Sequence, residues 1–172
     1  IITGRYGFRT GFGKVIPQDL SQPGPVLSTT ELTLPEAFRA RPQLNYYLAH
    51  VGKWHLGRGI NNPNLHGWPN FVGPHPNLAG LESYFSWPKV RNGAQTTSNV
   101  YATTDQVSVT LAAIATARKQ SRPFFITLAL SAPHAPYHKP PNHLHTRDNL
   151  RLDATPDKAL RRAYYEAMIE AM

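Results

Sequence analysis

Apolar residues recur with a helical period in the second half of the chain. Four of them stand at i, i+4, i+7 and i+8, namely Val107, Leu111, Ile114 and Ala115. This spacing predicts a helix over about residues 104–120 with these four side chains on its apolar face. Nearer the start, Thr33 and Glu36 have the spacing of a capping box, which predicts a short helix over 34–41 that Pro42 ends.

A further helix is predicted near the end of the sequence. Thr155 suits its N-cap, Pro156 its first helical position, and the helix should begin at Asp157. Its apolar stripe consists of Leu160, Tyr164 and Met168.

Two apolar runs have the length of strands, residues 46–51 and 124–130. The second is almost continuously apolar, which is typical of a strand that is covered on both faces in a parallel sheet. It follows the predicted helix 104–120, and a helix followed by a buried strand is half of a βαβ unit. We therefore predict an α/β fold.

The segment between these strands contains one clear turn signal. Asn92-Gly93 tolerates positive φ and suits a two-residue hairpin turn between strands over 84–91 and 95–101. Pro88 cannot donate to a ladder, so at least one of these strands should be an edge. Residues 61–83 are rich in Asn, Pro and Gly, which predicts a long surface excursion.

Composition and charge narrow the function classes. The chain has no cysteine, which excludes a thiolate nucleophile and Cys-ligated zinc within these 172 residues. The longest apolar run is far shorter than the roughly 20 residues that span a bilayer. The net charge of +8 favours anionic ligands. The basic residues are scattered, so nucleic acid is not favoured as a partner.

The candidate chemistry lies directly after the two predicted strands. Lys53 and His55 follow the first strand in the segment 52–57, where an extended chain would put both side chains on one side, about 7 Å apart. There they could hold one anion, with the His able to exchange a proton near neutral pH. His134 follows the second strand between two prolines, which suits a positioned acid or anion ligand.

Three further histidines are weaker candidates. His138 and the neighbouring Lys139 form a second cation pair behind His134. His143 and His145 have a spacing that could bind a metal ion on a strand, but no third ligand is suitably spaced, so we assign no metal ligand in this sequence. Nucleotide-binding glycine loops and a hydrolase nucleophile elbow are also missing from the sequence.

Four segments in chain order resemble the signatures of the sulfatase family of the alkaline-phosphatase-like superfamily. Thr3-Gly-Arg resembles the end of Cys/Ser-x-Pro-Ser-Arg-x-x-x-x-Thr-Gly-Arg, and Gly52-Lys-Trp-His-Leu-Gly matches a second signature in full. Ala132-Pro-His-Ala-Pro resembles a later His segment, and residues 164–172 resemble a helix that continues into an Asp. The resemblance implies a mixed, mostly parallel sheet flanked by helices, with residues 1–172 forming an incomplete part of the catalytic domain.

The resemblance also implies roles for three side chains. Lys53 would bind the sulfate, His55 would orient the hydroxyl of the nucleophile, and His134 would contact the sulfate or protonate the leaving oxygen. The nucleophile of such arylsulfatase-like enzymes is a formylglycine, and a calcium ion stabilises the sulfate oxygens. The formylglycine precursor, Cys or Ser, would lie before Ile1. The calcium ligands would lie before Ile1 and beyond Met172, so we expect the chain alone to be inactive.

By the same resemblance, the substrate would be a sulfate ester of a small molecule or a glycan, and the location periplasmic or secreted. Two alternatives remain, of which the first would use much the same cations. One is a phosphate- or phosphonate-ester hydrolase of the same superfamily, and the other is a non-enzymatic basic module that binds polyanions. Comparing the hydrolysis rates of matched sulfate and phosphate esters would distinguish the first alternative from a sulfatase. Salt-dependent polyanion binding that survives Lys53→Ala and His134→Ala would favour the second alternative.

Overall fold

A computed structural model describes residues 1–14, 17, 24–57, 59–74, 78, 84–151 and 158–172. Four α-helices lie in this part of the chain: α1 (Leu34–Arg39), α2 (Asn62–Leu65), α3 (Ala102–Lys119) and α4 (Arg161–Glu170). Five strands form one sheet: β1 (Tyr47–Gly52), β2 (Asn70–Pro74), β3 (Trp87–Arg91), β4 (Ala94–Ser98) and β5 (Phe124–Ala129). Short 3-10 turns cover Gly7–Thr10, Pro42–Leu44 and Asn142–Leu144.

The sheet has the strand order β4-β3-β2-β1-β5. β1 pairs in parallel with β2 on one side and with β5 on the other, while β3 runs antiparallel to both β2 and β4. Four of the five strands therefore run in one direction. This mixed, mostly parallel sheet with flanking helices confirms the predicted fold class, and β1 confirms the predicted strand 46–51 to within one residue.

The segment predicted as a surface excursion instead contains a central strand. Within 61–83, the described residues form α2 and then β2, in which Phe71 and Val72 are buried between β1 and β3. The prediction was wrong because the turn-forming residues here have packing roles. A Cβ on Gly73 would overlap the carbonyl oxygen of Gly52 on the neighbouring strand, so a glycine is needed at this close approach. Residues 75–77 and 79–83 lie outside the described residues.

The hairpin prediction is confirmed. Arg91 pairs with Ala94 across the two-residue turn, in which Asn92 and Gly93 both have positive φ, as a type I′ turn requires. Pro88 lies in β3 and pairs with Thr97 of β4, the edge strand of the hairpin. The Asn92 side chain accepts a hydrogen bond from the Phe71 backbone N–H at 2.6 Å, which ties the turn to β2.

Helix α3 has the predicted limits but packs on a different face. Leu111 is 61% exposed, whereas the buried residues are mostly small or polar: Ala102, Thr103, Asp105, Gln106, Ala113 and Ala117. Small side chains let the helix lie close against the sheet. At its first turn, Asp105 accepts hydrogen bonds from Lys89 Nζ of β3 and from the Ser98 hydroxyl of β4, both at 2.6 Å. The helix is thus positioned by polar anchoring as well as by apolar burial.

Strand β5 is parallel to β1 as predicted, but it is not covered on both faces. It is the last strand of the described sheet, and Phe124 and Leu128 are 44% and 40% exposed. The apolar run therefore predicted the strand correctly, but the prediction that both faces of the strand are buried was wrong. Neither lysine nor proline, which commonly protect edge strands, occurs in Phe124–Ala129.

The remaining helices agree with the sequence in part. α1 begins after Thr33, whose backbone N–H and hydroxyl both donate to the Glu36 carboxylate, and it ends two residues earlier than predicted. α4 begins at Arg161, later than predicted, because residues 158–160 form a turn. The predicted cap residues Thr155 and Pro156 and the predicted start at Asp157 lie outside the described residues. In its stripe, Tyr164 and Met168 are buried, but Leu160 is 53% exposed.

Candidate active site

The carboxyl ends of β1 and β5 lie side by side at one edge of the sheet. Gly52 pairs with Ala129 at the last position of the parallel ladder, and the Lys53 backbone N–H donates to the Ala129 carbonyl at 2.7 Å. Gly52 has a φ of 102°, and a Cβ there would overlap the Ala129 carbonyl oxygen. Only glycine combines a positive φ with the absence of a Cβ, so only glycine lets the ends of β1 and β5 approach this closely. The loops that follow β1 and β5 therefore leave the sheet side by side.

Lys53 is half-buried in a largely apolar cavity at this edge. The cavity has a volume of about 390 Å³, and its lining includes Trp54, Leu56, Phe125 and Ile2 besides the Lys53 side chain. Burial lowers the pKa of the Lys53 ammonium from its usual value. A partly desolvated ammonium gains more from a bound anion than an exposed one does, because solvent screens the interaction less. This environment favours an anionic partner for the Lys53 ammonium.

His50 supports this loop from within β1, and sequence reasoning missed it. Its side chain is buried against Trp54, Trp68 and Phe71, and Nε2 lies 3.1 Å from the Lys53 carbonyl oxygen. Because a carbonyl only accepts, Nε2 carries the proton, and burial lowers the pKa of His50 to about 4. The signal in the sequence was one histidine interrupting the apolar run 46–51.

His55 does not follow an extended chain. Its φ is 47°, in the left-handed region, so the predicted alternation that put Lys53 and His55 on one side about 7 Å apart does not hold through His55. The residue between them is fixed instead: Trp54 is 4% exposed, and its indole N–H donates to Asn62 Oδ1 of α2 at 2.5 Å. The segment 52–57 is thus a loop anchored in the core, with Lys53 and His55 on either side of the anchor.

His134 lies in the loop that follows β5 and is exposed. Its Nδ1 lies 2.7 Å from the Ala135 carbonyl oxygen and therefore carries a proton. The loop is held by the backbone, since His134 N–H donates to the Ser131 carbonyl at 3.0 Å and the buried Tyr84 hydroxyl donates to the His134 carbonyl at 2.9 Å. Because β1 and β5 are parallel neighbours, this loop leaves the same edge as Lys53.

The weaker candidates lie in other environments. His138 is buried, with Nε2 3.1 Å from the Tyr101 hydroxyl and Nδ1 2.8 Å from the Pro136 carbonyl, and burial lowers its pKa. His143 is exposed, and His145 Nδ1 accepts from the Arg147 backbone N–H at 3.1 Å. Among the described residues, no group of three His, Asp, Glu or Cys side chains could hold a metal ion.

These features define a class of protein: an α/β fold whose candidate cationic and imidazole groups follow the carboxyl ends of neighbouring parallel strands, where α/β enzymes place their sites. Comparison with known families shows to which family of this class the chain belongs. The family model described as Sulfatase matches residues 1–171, so the chain belongs to the sulfatase family.

Individual relatives agree with this assignment. An uncharacterized sulfatase, YdeN, of Escherichia coli (strain K12) is 28% identical over 81% of this chain and 28% of its own length. The structure of Ps i-CgsB superimposes with a TM-score of 0.77 at 20% identity, covering 99% of this chain and 40% of that one. The putative sulfatase yidJ from Bacteroides fragilis gives a TM-score of 0.69 at 16% identity, with 98% and 43% coverage. At these identities the likeness to the solved structures shows the fold.

The chain spans about a quarter to two fifths of the length of these relatives. In the part of the chain that the structure describes, no helix is long and apolar enough to cross a membrane.

Proposed function

We propose that this chain is part of a sulfuric ester hydrolase of the formylglycine type, in which Lys53, His55 and His134 act on a sulfate ester. The observation that carries the proposal is the pairing of Gly52 with Ala129, from which the Lys53 loop and the His134 loop both start. Family membership supplies the reaction class, and the strand ends supply cation and imidazole groups suited to it.

Lys53 is the sulfate-binding residue in this proposal. A sulfate monoester keeps negative charge on its non-bridging oxygens, and an ammonium ion stabilises that charge in the ground state and in the transition state. The apolar lining of the cavity around Lys53 reduces solvent screening of this interaction. The hydrogen bond from His50 to the Lys53 carbonyl holds the backbone from which the ammonium extends.

His134 and His55 have the proton-handling roles. With Nδ1–H bonded to the Ala135 carbonyl, protonated His134 would donate from Nε2 to a sulfate oxygen or to the leaving oxygen, so that the alcohol departs without negative charge. His55 would orient the hydroxyl of the nucleophile. The left-handed backbone at His55 is a strained conformation of the kind that persists where a side chain must be aimed.

The nucleophile and the metal ion would come from parts of the protein outside this chain. A formylglycine would supply a hydroxyl as nucleophile, and a calcium ion would supply positive charge near the sulfate oxygens. The described residues do not form a cluster that fits a metal ion, so no step is assigned to the ion here. The sequence encoding residues before Ile1 tests this part directly: we expect Cys or Ser-x-Pro-Ser-Arg followed by two residues, and unrelated sequence there would contradict the formylglycine type.

The substrate class we propose is a sulfate ester of a small molecule or a glycan. Two structural neighbours support it by their described ligands: Ps i-CgsB is in complex with k-i-k-neocarrahexaose, and BT4656 is in complex with its substrate D-glucosamine-2-N,6-O-disulfate. The proposal includes the periplasmic or secreted location that the resemblance implies.

Anion binding by Lys53 is testable on the 172-residue chain. Sodium sulfate is titrated into ¹⁵N-labelled protein at constant ionic strength, and we expect the amide signals of Lys53 and its neighbours to shift with a millimolar Kd. Lys53→Met should abolish this shift, whereas Lys14→Met, at an exposed position, should not. Equal loss in both variants, or no shift in the parent protein, would remove the basis for a sulfate site at this edge.

Turnover provides the complementary measurement. Because the proposed nucleophile lies outside the chain, the purified 172-residue protein should not hydrolyse an aryl sulfate with or without calcium. Calcium-dependent turnover by this chain would contradict the proposed mechanism.

A further inference from the structure

A second cavity lies at the opposite end of the sheet from Lys53. It has a volume of about 260 Å³ and is formed where the chain enters β1 and β5. Its lining contains three arginines and five other residues: Arg39, Arg41 and Arg122, with Phe38, Pro42, Asn45, Tyr46 and Leu48. Its lining residues Tyr46 and Leu48 lie seven and five residues before Lys53, which at 3.3 Å per residue is about 20 Å from Lys53 on average. The two cavities approach each other through Phe38 and Phe125, whose ring centres are 5.1 Å apart.

Arg122 is held rigidly in this arginine cavity. Its Nε donates to the Asn45 carbonyl at 3.1 Å, and one Nη donates to the Tyr46 carbonyl at 2.7 Å. The guanidinium also lies 5.6 Å from the centre of the Tyr47 ring. The left-handed backbone of Asn45, with a φ of 49°, turns its carbonyl into this arrangement. One wall of the cavity is therefore a fixed positive charge that loses little conformational entropy when a ligand binds.

Arg39 and Arg41 supply two more charges that the structure does not neutralise. Both are exposed, and neither forms an ion pair with a residue that the structure describes. None of the described carboxylates lines the cavity. The acidic residue of the adjoining helix, Glu36, is engaged at the other end of α1 by Thr33. Three guanidinium groups around one cavity without a carboxylate partner create a local field that favours anions.

The shape and chemistry of the cavity favour a planar or branched oxyanion carried on a larger molecule. Guanidinium groups bind such oxyanions through paired N–H donors, which a lysine cannot offer. Phe38 and Tyr46, whose rings lie 4.6 Å apart, give the cavity an apolar side against which the carrier can rest. Phe38 belongs to α1, and Arg122 is held by its hydrogen bonds to the Asn45 and Tyr46 carbonyls.

We propose that the arginine cavity is an accessory site that binds a sulfate group of a sulfated polysaccharide, away from the catalytic end of the sheet. The choice of sulfate among oxyanions rests on the proposed function, whereas the evidence for an anion site, three arginines around one cavity, is independent of that function. An accessory site about 20 Å from Lys53 would retain a polymeric substrate between successive reactions.

The test measures binding of the 172-residue chain to fluorescent heparin as the sulfated probe, by anisotropy over a range of salt concentrations. Arg39→Ala with Arg41→Ala should weaken heparin binding about tenfold and lower its salt dependence, because two charge contacts are lost. The matched control is Arg9→Ala with Lys14→Ala, which removes the same charge from exposed positions outside the cavity. This control should change binding less than about threefold.

Three outcomes would overturn the proposal: equal losses in the two double variants, no loss in the Arg39/Arg41 variant, or equal affinity for DNA at matched salt. Unsulfated hyaluronan is the second probe, and binding as tight as that of heparin would show that sulfate is not the recognised group. The Arg39/Arg41 double variant separates this proposal from the proposed function, since it should leave the sulfate-induced shifts of the amides around Lys53 unchanged. Circular dichroism confirms that each variant is folded.

Discussion

The two loops at the candidate active site are held in place by different means. The loop after β1 is packed into the core, with Trp54 buried and Gly52 in contact with Ala129. The loop after β5 exposes His134 and is held mainly through its backbone, by the buried Tyr84 hydroxyl. Lys53 therefore cannot move without disturbing two strands, whereas His134 is held by hydrogen bonds of its own backbone and ring. The Lys53 ammonium thus extends from a loop held by steric packing, whereas the His134 imidazole extends from a loop held by hydrogen bonds.

The largest effect is expected at Gly52, where the first loop meets the sheet. Gly52→Ala should destabilise the protein by roughly 4 kcal/mol or more, because the new Cβ overlaps the Ala129 carbonyl and φ is positive. Gly11→Ala is the matched control: φ is also positive, at 82°, but the Cβ meets no atom within 4 Å, so about 1 kcal/mol is expected. Urea denaturation measures both, and equal losses would mean that steric contact does not fix this loop.

A pH effect of intermediate size is expected from His50 beneath the first loop. Its pKa is lowered from 6.5 to about 4 in the folded state, so the unfolded chain binds the proton more tightly. Stability should fall as the pH drops from about 6.5 towards 4, by about 3 kcal/mol from this residue. His50→Gln keeps an N–H donor but does not titrate.

Urea denaturation at pH 7.5 and at pH 4 checks this prediction. The difference between the two pH values should be smaller in His50→Gln than in the parent protein by about the same 3 kcal/mol. His143→Gln, at an exposed position, is the control and should behave like the parent. An unchanged pH dependence in His50→Gln would show that the imidazole is not held neutral by burial.

The smallest effect on stability is expected in the second loop. Tyr84→Phe removes the hydroxyl that donates to the His134 carbonyl and should reduce the free energy of unfolding by about 1 kcal/mol. NMR relaxation should show increased motion at the His134 amide and none at the Lys53 amide. Equal changes at both amides would mean that the two loops are coupled and that the distinction between them fails.

The sequence predicted those parts of the fold that depend on local signals. The capping box of α1, the Asn92-Gly93 turn and the limits of α3 each follow from a few neighbouring residues, and the apolar runs located β1 and β5. The strand-end rule then placed Lys53 and His134 at one edge of the sheet, because both strands were predicted to be parallel.

The features that the sequence did not reveal depend on contacts between distant segments. β2 contains Asn, Gly and Pro, and only its position between β1 and β3 makes it a buried strand. The inner face of α3 consists of small residues such as Ala113 and Ala117, because the helix lies close to the sheet. At the site, the left-handed backbone of His55 has no sequence signal, and the role of His50 depends on the Lys53 carbonyl, just beyond the end of β1.

The outer edge of β5 has a consequence for handling the 172-residue chain in solution. In the described sheet this strand has a neighbour on one side only, and it carries exposed Phe124 and Leu128 without a lysine or proline. Such an edge is a template for pairing with another copy, and the rate of that pairing rises with concentration. We therefore expect self-association, rather than unfolding, to limit how far a sample can be concentrated, with sedimentation velocity over a dilution series as the direct observation.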